Sequence, residues 1–114
     1  MRVTLTAVYQ PAQAVVGAAI GVDYIAPYLG RITDGGRDGV AEVAAMQAAL
    51  ENVDSHARLL VASVRSAADV VALTSVGVNT FTLSPAAAAA LVASQDTEDA
   101  AAAFEDAAAQ LGAE

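Results

Sequence analysis

The chain has 114 residues, 5 Lys+Arg against 13 Asp+Glu, and a formal net charge of -8. That length fits a single domain spanning residues 1–114, and so acidic a chain is not expected to bind nucleic acid or an anionic membrane, both of which need clustered basic residues. The absence of cysteine excludes disulfides, thiolate nucleophiles and thiolate metal sites.

Val3 to Val8 alternates loosely and is rich in β-branched residues, which predicts a strand. Pro11 suits the first turn of a helix through Ile20, and Gly21 suits its C-terminal cap. Val22 to Tyr28 reads as a second strand with Pro27 near its end, and Leu29 to Gly39 as a loop built on Asp34-Gly35-Gly36. A helix from Gly39 to Val53 follows, with Val40, Val43, Met46, Leu50 and Val53 on one face. Leu59 to Val64 is the continuous apolar strand of a doubly covered parallel sheet. Ser66 caps a helix from Ala67 to Ser75, ended by Gly77, and Val78 to Leu83 is a fourth strand. Ser84-Pro85 opens a helix to Ala93. A last helix from Thr97 to Leu111 places Ala101, Phe104, Ala108 and Leu111 on one stripe, with Asp96, Glu98 and Asp99 at the positive end of its dipole.

Strand and helix alternate four times before that terminal helix, which implies parallel strands joined by right-handed crossovers. Two α/β architectures meet the pattern: a small open sheet with helices on both faces, or half of a (β/α)8 barrel, which takes about 250 residues when whole. Periodicity does not choose between them.

Either way, ligands sit at the C-terminal ends of the strands. Arg31, Arg37 and Arg65 fall on that loop face, so an anion site for phosphate or carboxylate is a candidate there. Arg2 and Arg58 precede strands and belong to the opposite face, where His56 reads as a structural surface residue. Tyr24 and Tyr28 share one side of their strand, and Tyr28, at its end, is the better placed to handle a proton. Gly35-Gly36 with Gly39 lacks both the P-loop lysine and the Rossmann spacing and reads as a turn. No metal ligands converge, and neither metal nor cofactor is expected. No run of about 18 apolar residues marks a spanning helix. Met1-Arg2-Val3-Thr4 lacks the pattern of a secretory signal, so a cytoplasmic chain is expected. All five basic residues are arginine. Schiff-base catalysis by a lysine side chain is therefore closed to this chain alone.

Thr6-Ala7-Val8-Tyr9, Ala12-Gln13, and Tyr24-Ile25-Ala26-Pro27-Tyr28 with Arg31-Ile32 resemble the small transaldolase and fructose-6-phosphate aldolase family. Leu60-Val61-Ala62-Ser63-Val64-Arg65, Phe81-Thr82-Leu83-Ser84-Pro85 and Phe104-Glu105 continue the resemblance, which covers only the C-terminal half of that family. It implies a half-barrel of four βα units plus a C-terminal helix, starting at what resembles the fifth strand. Family members are class I aldolases in which a fourth-strand lysine forms a Schiff base with a ketose phosphate and a first-strand aspartate assists. Carried over by position, Thr6 orients the catalytic water, Tyr28 handles the proton and Ala26 lines the pocket. Arg31 and Ser63 bind the substrate phosphate, and Arg65 stands where the family has a basic residue.

The resemblance thus implies sugar-phosphate metabolism through a site that keeps its phosphate side and lacks its lysine. Such a chain is inactive alone and active only if completed by a partner half. The alternative is a non-catalytic homo-oligomer that binds sugar phosphates or is purely structural. Unpaired edge strands and uncovered inward Leu, Val and Ile would favour a homo-oligomer, most simply a dimer closing eight strands. In the family, the long C-terminal helix often packs on a neighbouring subunit.

Overall fold

The computed structural model describes residues 1–113. In chain order its elements are β1 (Thr4–Val8), α1 (Pro11–Ile20), β2 (Tyr24–Pro27), α2 (Leu29–Asp34), α3 (Gly39–Asn52), β3 (Arg58–Leu59), α4 (Ala67–Thr74), α5 (Pro85–Val92) and α6 (Gln95–Ala113). The strands form one parallel sheet in the order β1-β2-β3, so each strand lies beside its predecessor. This is an α/β fold.

Local chemistry sets the helix starts. Asp38, Ser66 and Ser84 accept hydrogen bonds from the backbone N–H groups of Ala41, Asp69 and Ala87, each satisfying a donor that the first turn leaves open. Gly21 ends α1 in the left-handed conformation at φ 81°, which a side chain would strain.

The expected loop from Leu29 to Gly39 holds α2 instead. Leu29 and Ile32, three residues apart, are both buried and anchor it to the core, and the expected turn at Gly35-Gly36 follows as the helix's end, with Gly36 at φ 89°. The fourth strand contracts to a single bridge between Phe81 and Val61, held by Val61 N–H to the Thr80 carbonyl (3.0 Å) and Thr82 N–H to the Val61 carbonyl (2.9 Å). The third strand is similarly short. Its ladder covers Arg58–Leu59, with further bonding from Leu60 N–H to Ile25 and from Ala62 N–H to Pro27 before Ser63 turns to φ 58°.

One face of the sheet carries Leu5, Ile25, Leu59 and Val61 against the helices. A Cβ added at Gly17 would lie 3.1 Å from both Ile25 Cδ1 and Leu5 Cδ2, so glycine lets α1 sit down on that layer. Val43, Met46 and Leu50 of α3 and Leu73 of α4 complete the core. Val53, expected on the same face of α3, is exposed because the helix ends one residue before it.

Partners in a parallel pair point the same way, so Thr4, Tyr24 and Arg58 share the other face, and alternation adds Thr6, Ala26, Leu60 and Ala62. Thr4, Thr6 and Arg58 are exposed. The face away from the helices thus carries mostly threonine, alanine and tyrosine, with Arg58 and, as its one aliphatic residue larger than alanine among those named, Leu60, where Leu, Val and Ile were expected.

No side chain of α5 is buried, and those of α6 from Gln95 to Gly112 are all exposed, Phe104 at 77% and Leu111 at 73%. The radius of gyration is 19.0 Å. A compact chain of this length would have about 13 Å, so the molecule is drawn out, with extents of 67 × 33 × 23 Å. Among the described residues, no helix is long and apolar enough to cross a membrane.

Candidate functional site at the strand ends

The strand ends lie together because the strands are parallel, and β1 contains a bulge at this end. Leu5 pairs with Ile25 and Val8 with Pro27, so two residues of β1 oppose one of β2, and Ala7 takes φ 55°. The extra residue returns Val8 to the core layer with Leu5, leaves Thr6 on the open face, and explains the loose alternation of this segment. Thr6 Oγ1 then lies 3.0 Å from Tyr28 Oη.

Tyr28 sits where β2 gives way to α2, and it bridges to Ala62 across the sheet. Its ring takes two further contacts. Tyr9 meets it edge-on at 5.7 Å between centroids, and the Arg31 guanidinium carbon stands 5.2 Å from the ring centre. Arg31 makes no salt bridge with a carboxylate among the described residues. The other two loop-face arginines are engaged. Arg37 donates from Nη2 to the Tyr9 carbonyl at 2.6 Å and pairs with Glu42 at 2.8 Å. Arg65 donates from Nη1 to Asp34 Oδ1 at 2.5 Å. That hydrogen bond, with the charge of Arg65 and the nearby Arg31, holds the Asp34 carboxyl below the usual aspartate range, and Asp34 in turn raises the Arg65 guanidinium.

Ser63 and Arg65 reach the same end from the third strand. Gly30 N–H donates to the Ser63 carbonyl at 2.8 Å, and a Cβ added at Gly30 would fall 2.5 Å from Arg65 Nε and 2.6 Å from the Ser63 carbonyl oxygen. Glycine here allows α2 to lie directly on the third strand's end, one residue before Arg31. Beside it is an open cleft of about 490 Å³ lined by Ser63, Val64, Arg65, Thr82, Leu83 and Ser84. Ala26 is buried, yet lies outside the main apolar cluster, as its place on the open face requires.

All six residues singled out from the sequence therefore lie on one end or face of the sheet, with Thr6, Tyr28 and Arg31 in mutual contact through Tyr28. Tyr9, Gln13, Asp34 and Glu42 are the residues that sequence reasoning did not assign. Gln13 Oε1 accepts from the N–H groups of Tyr9 (2.8 Å) and Gln10 (3.1 Å), which fixes the turn out of β1. Neither the contact of Arg37 with Glu42, five residues on, nor that of Arg65 with Asp34, 31 residues apart, falls at the three- or four-residue spacing of a helical charge pair. At the opposite end, His56 Nε2 lies 3.7 Å from Asp23 Oδ1, and Asp23 Oδ2 accepts from Val3 N–H at 2.7 Å. His56 thus stands beside a carboxylate that ties down the start of β1, as a structural residue would.

The family model described as Transaldolase/Fructose-6-phosphate aldolase matches residues 1–114. The chain is 35% identical over 86 residues to a probable transaldolase of Caulobacter vibrioides, covering 75% of this chain and 40% of that protein. It is 35% identical over 83 residues to one of Prosthecochloris aestuarii (73% and 37%), and 33% identical over 102 residues to one of Mesorhizobium japonicum (90% and 47%). The chain spans less than half the length of each of these relatives. On the match along its whole length, the chain belongs to the transaldolase/fructose-6-phosphate aldolase family.

Proposed function

We propose that this chain supplies the C-terminal, phosphate-side half of a transaldolase-type (β/α)8 barrel acting on phosphorylated sugars. The observation that carries the reading is the Thr6–Tyr28–Arg31 cluster, built at the strand ends of a chain without lysine. Arg31, stacked on Tyr28 and free of a carboxylate among the described residues, is suited to a phosphate dianion, with Ser63 and Arg65 packed against the preceding Gly30. Tyr28 Oη and Thr6 Oγ1 form a donor–acceptor pair able to hold a water or pass a proton, with the small Ala26 on the same sheet face. The electrophile-forming amine belongs to a completing segment. Its lysine would condense with the ketose carbonyl, releasing water and forming the Schiff base.

Two features support completion by other strands. The exposed sheet face carries Thr4, Thr6 and Arg58, and β1 lies at the sheet edge beside an apolar depression of about 320 Å³ lined by Leu5, Thr6, Val8, Ala12, Gln13 and Val16. A second reading, a non-catalytic homo-oligomer that binds sugar phosphates, rests on α6, whose exposed Phe104 and Leu111 lie on one apolar stripe. Native mass spectrometry of the protein from its source cells separates the two. A heteromer with a lysine-bearing chain, whose lysine is trapped by borohydride in the presence of a ketose phosphate, supports the split enzyme. A homo-oligomer that traps nothing overturns it. The homo-oligomer that is also not stabilised by millimolar sugar phosphate removes the binding reading as well.

A further inference from the structure

Arg37 lies with the loop-face cations, yet its guanidinium is taken up by partners within the fold. It lies in the α2–α3 connection, is half-buried, and donates to the backbone carbonyl of Tyr9, 28 residues earlier, at 2.6 Å. Its second contact, to Glu42 at 2.8 Å, comes from the first turn of α3 and holds the guanidinium in place. Tyr9 is thus clamped from both sides of its peptide: its N–H by Gln13 and its carbonyl by Arg37. Its ring packs edge-on against Tyr28 at 5.7 Å, and Tyr28 carries the contacts to Thr6 and Arg31.

From this chain of contacts we infer that Arg37 is a positioning residue, which sets the Tyr28 ring through Tyr9 and so fixes the platform beneath Arg31. The inference rests on the reading of Tyr28 and Arg31 as substrate-side groups, but the placement of the ring can be tested without any ligand. What Arg37 contributes is geometry: a rigid fork reaches a carbonyl and a carboxylate at once, which a lysine amine on a flexible stem would hold less well. The edge-on pairing of Tyr9 and Tyr28 transmits the position, and a contact of that kind corresponds to about a threefold to tenfold effect on binding.

The test uses proton NMR of the tyrosine rings in the intact chain. In Arg37→Met the cross-relaxation between the Tyr9 and Tyr28 rings is lost and the Tyr28 resonances shift, while Tyr24, at the other end of the strand, keeps its shifts. Arg58→Met removes an equal charge beside Tyr24, its partner across the sheet, and leaves the Tyr9 and Tyr28 rings unchanged. Arg37→Lys restores the ring contact in part. Should Arg37→Met fold poorly, Glu42→Gln loosens the same fork from its far side and produces a smaller shift of the same sign. Sugar-phosphate binding then gives the second readout: Arg37→Met and Tyr9→Leu each weaken it about threefold to tenfold, and the double variant is no worse than either, because both act through one ring. An unmoved Tyr28 ring in Arg37→Met, or full additivity in the double variant, overturns the inference. Intact ring coupling in the wild type with no sugar-phosphate binding refutes the proposed function and leaves the positioning role standing.

Discussion

Gly30→Ala is the most incisive single perturbation of the candidate site. Its Cβ would sit 2.5 Å from Arg65 Nε and 2.6 Å from the Ser63 carbonyl oxygen. The arginine side chain can swing aside, but the Ser63 carbonyl is backbone, one residue beyond the Ala62 N–H that bonds to Pro27. Ordinary contact at about 3.4 Å requires the two segments to part by roughly 0.8 Å, which breaks the 2.8 Å bond from Gly30 N–H. Overpacking costs about 1–3 kcal/mol. The lost hydrogen bond adds about 1 kcal/mol. A total of about 2–4 kcal/mol corresponds to a fall of about 8–16 °C in melting temperature for a chain of this size. Circular dichroism melting measures it, with Gly35→Ala as the control. Gly35 has φ -75° and its nearest non-neighbouring atom at 3.4 Å, so alanine there should leave stability unchanged or raise it slightly. Sugar-phosphate binding should fall with Gly30→Ala even at temperatures where the variant is folded, since Ser63 and Arg65 move together. A Gly30→Ala protein that melts within 2 °C of wild type would refute the argument that α2 is seated directly on the third strand.

Arg31→Ala should abolish the thermal shift caused by a ketose phosphate, while Arg58→Ala, at the other end of the sheet, should preserve it; equal losses would mean binding by diffuse charge. The Asp34 carboxyl should titrate lower in the folded chain than in urea, and Arg65→Met should remove the difference. Because the folded value is the lower one, the contribution of this pair is present above the unfolded value of about 4 and disappears as pH falls through the folded value. Carboxyl-carbon NMR over acid pH reads both states. Phe104→Glu with Leu111→Glu should shift the oligomeric mass in native mass spectrometry without lowering the melting temperature of the α/β body, because neither side chain is buried within the chain. A drop in melting temperature for the dissociated chain would show that α6 packs against it.

Much of this protein is legible without coordinates, and the reason is local. Helix starts at Pro11, Ser66 and Ser84 follow from caps and first-turn prolines, and α1 closes at Gly21, because those signals act within one turn of chain. The motif residues Thr6, Ala26, Tyr28, Arg31, Ser63 and Arg65 are likewise findable, since parallel strands bring their C-terminal ends to one side. The absence of lysine excludes this chain's own side chains as the Schiff-base amine. Other features depend on contacts between distant segments. The helix at Leu29–Asp34 exists because Leu29 and Ile32 find a core to enter. The bulge at Ala7 is decided by pairing with β2, and it returns Val8 to the core beyond Thr6. Which arginine remains open for an anion is also a tertiary outcome. Arg37 and Arg65 look equivalent to Arg31 along the chain, but Tyr9, Glu42 and Asp34 engage them only when the strand ends meet.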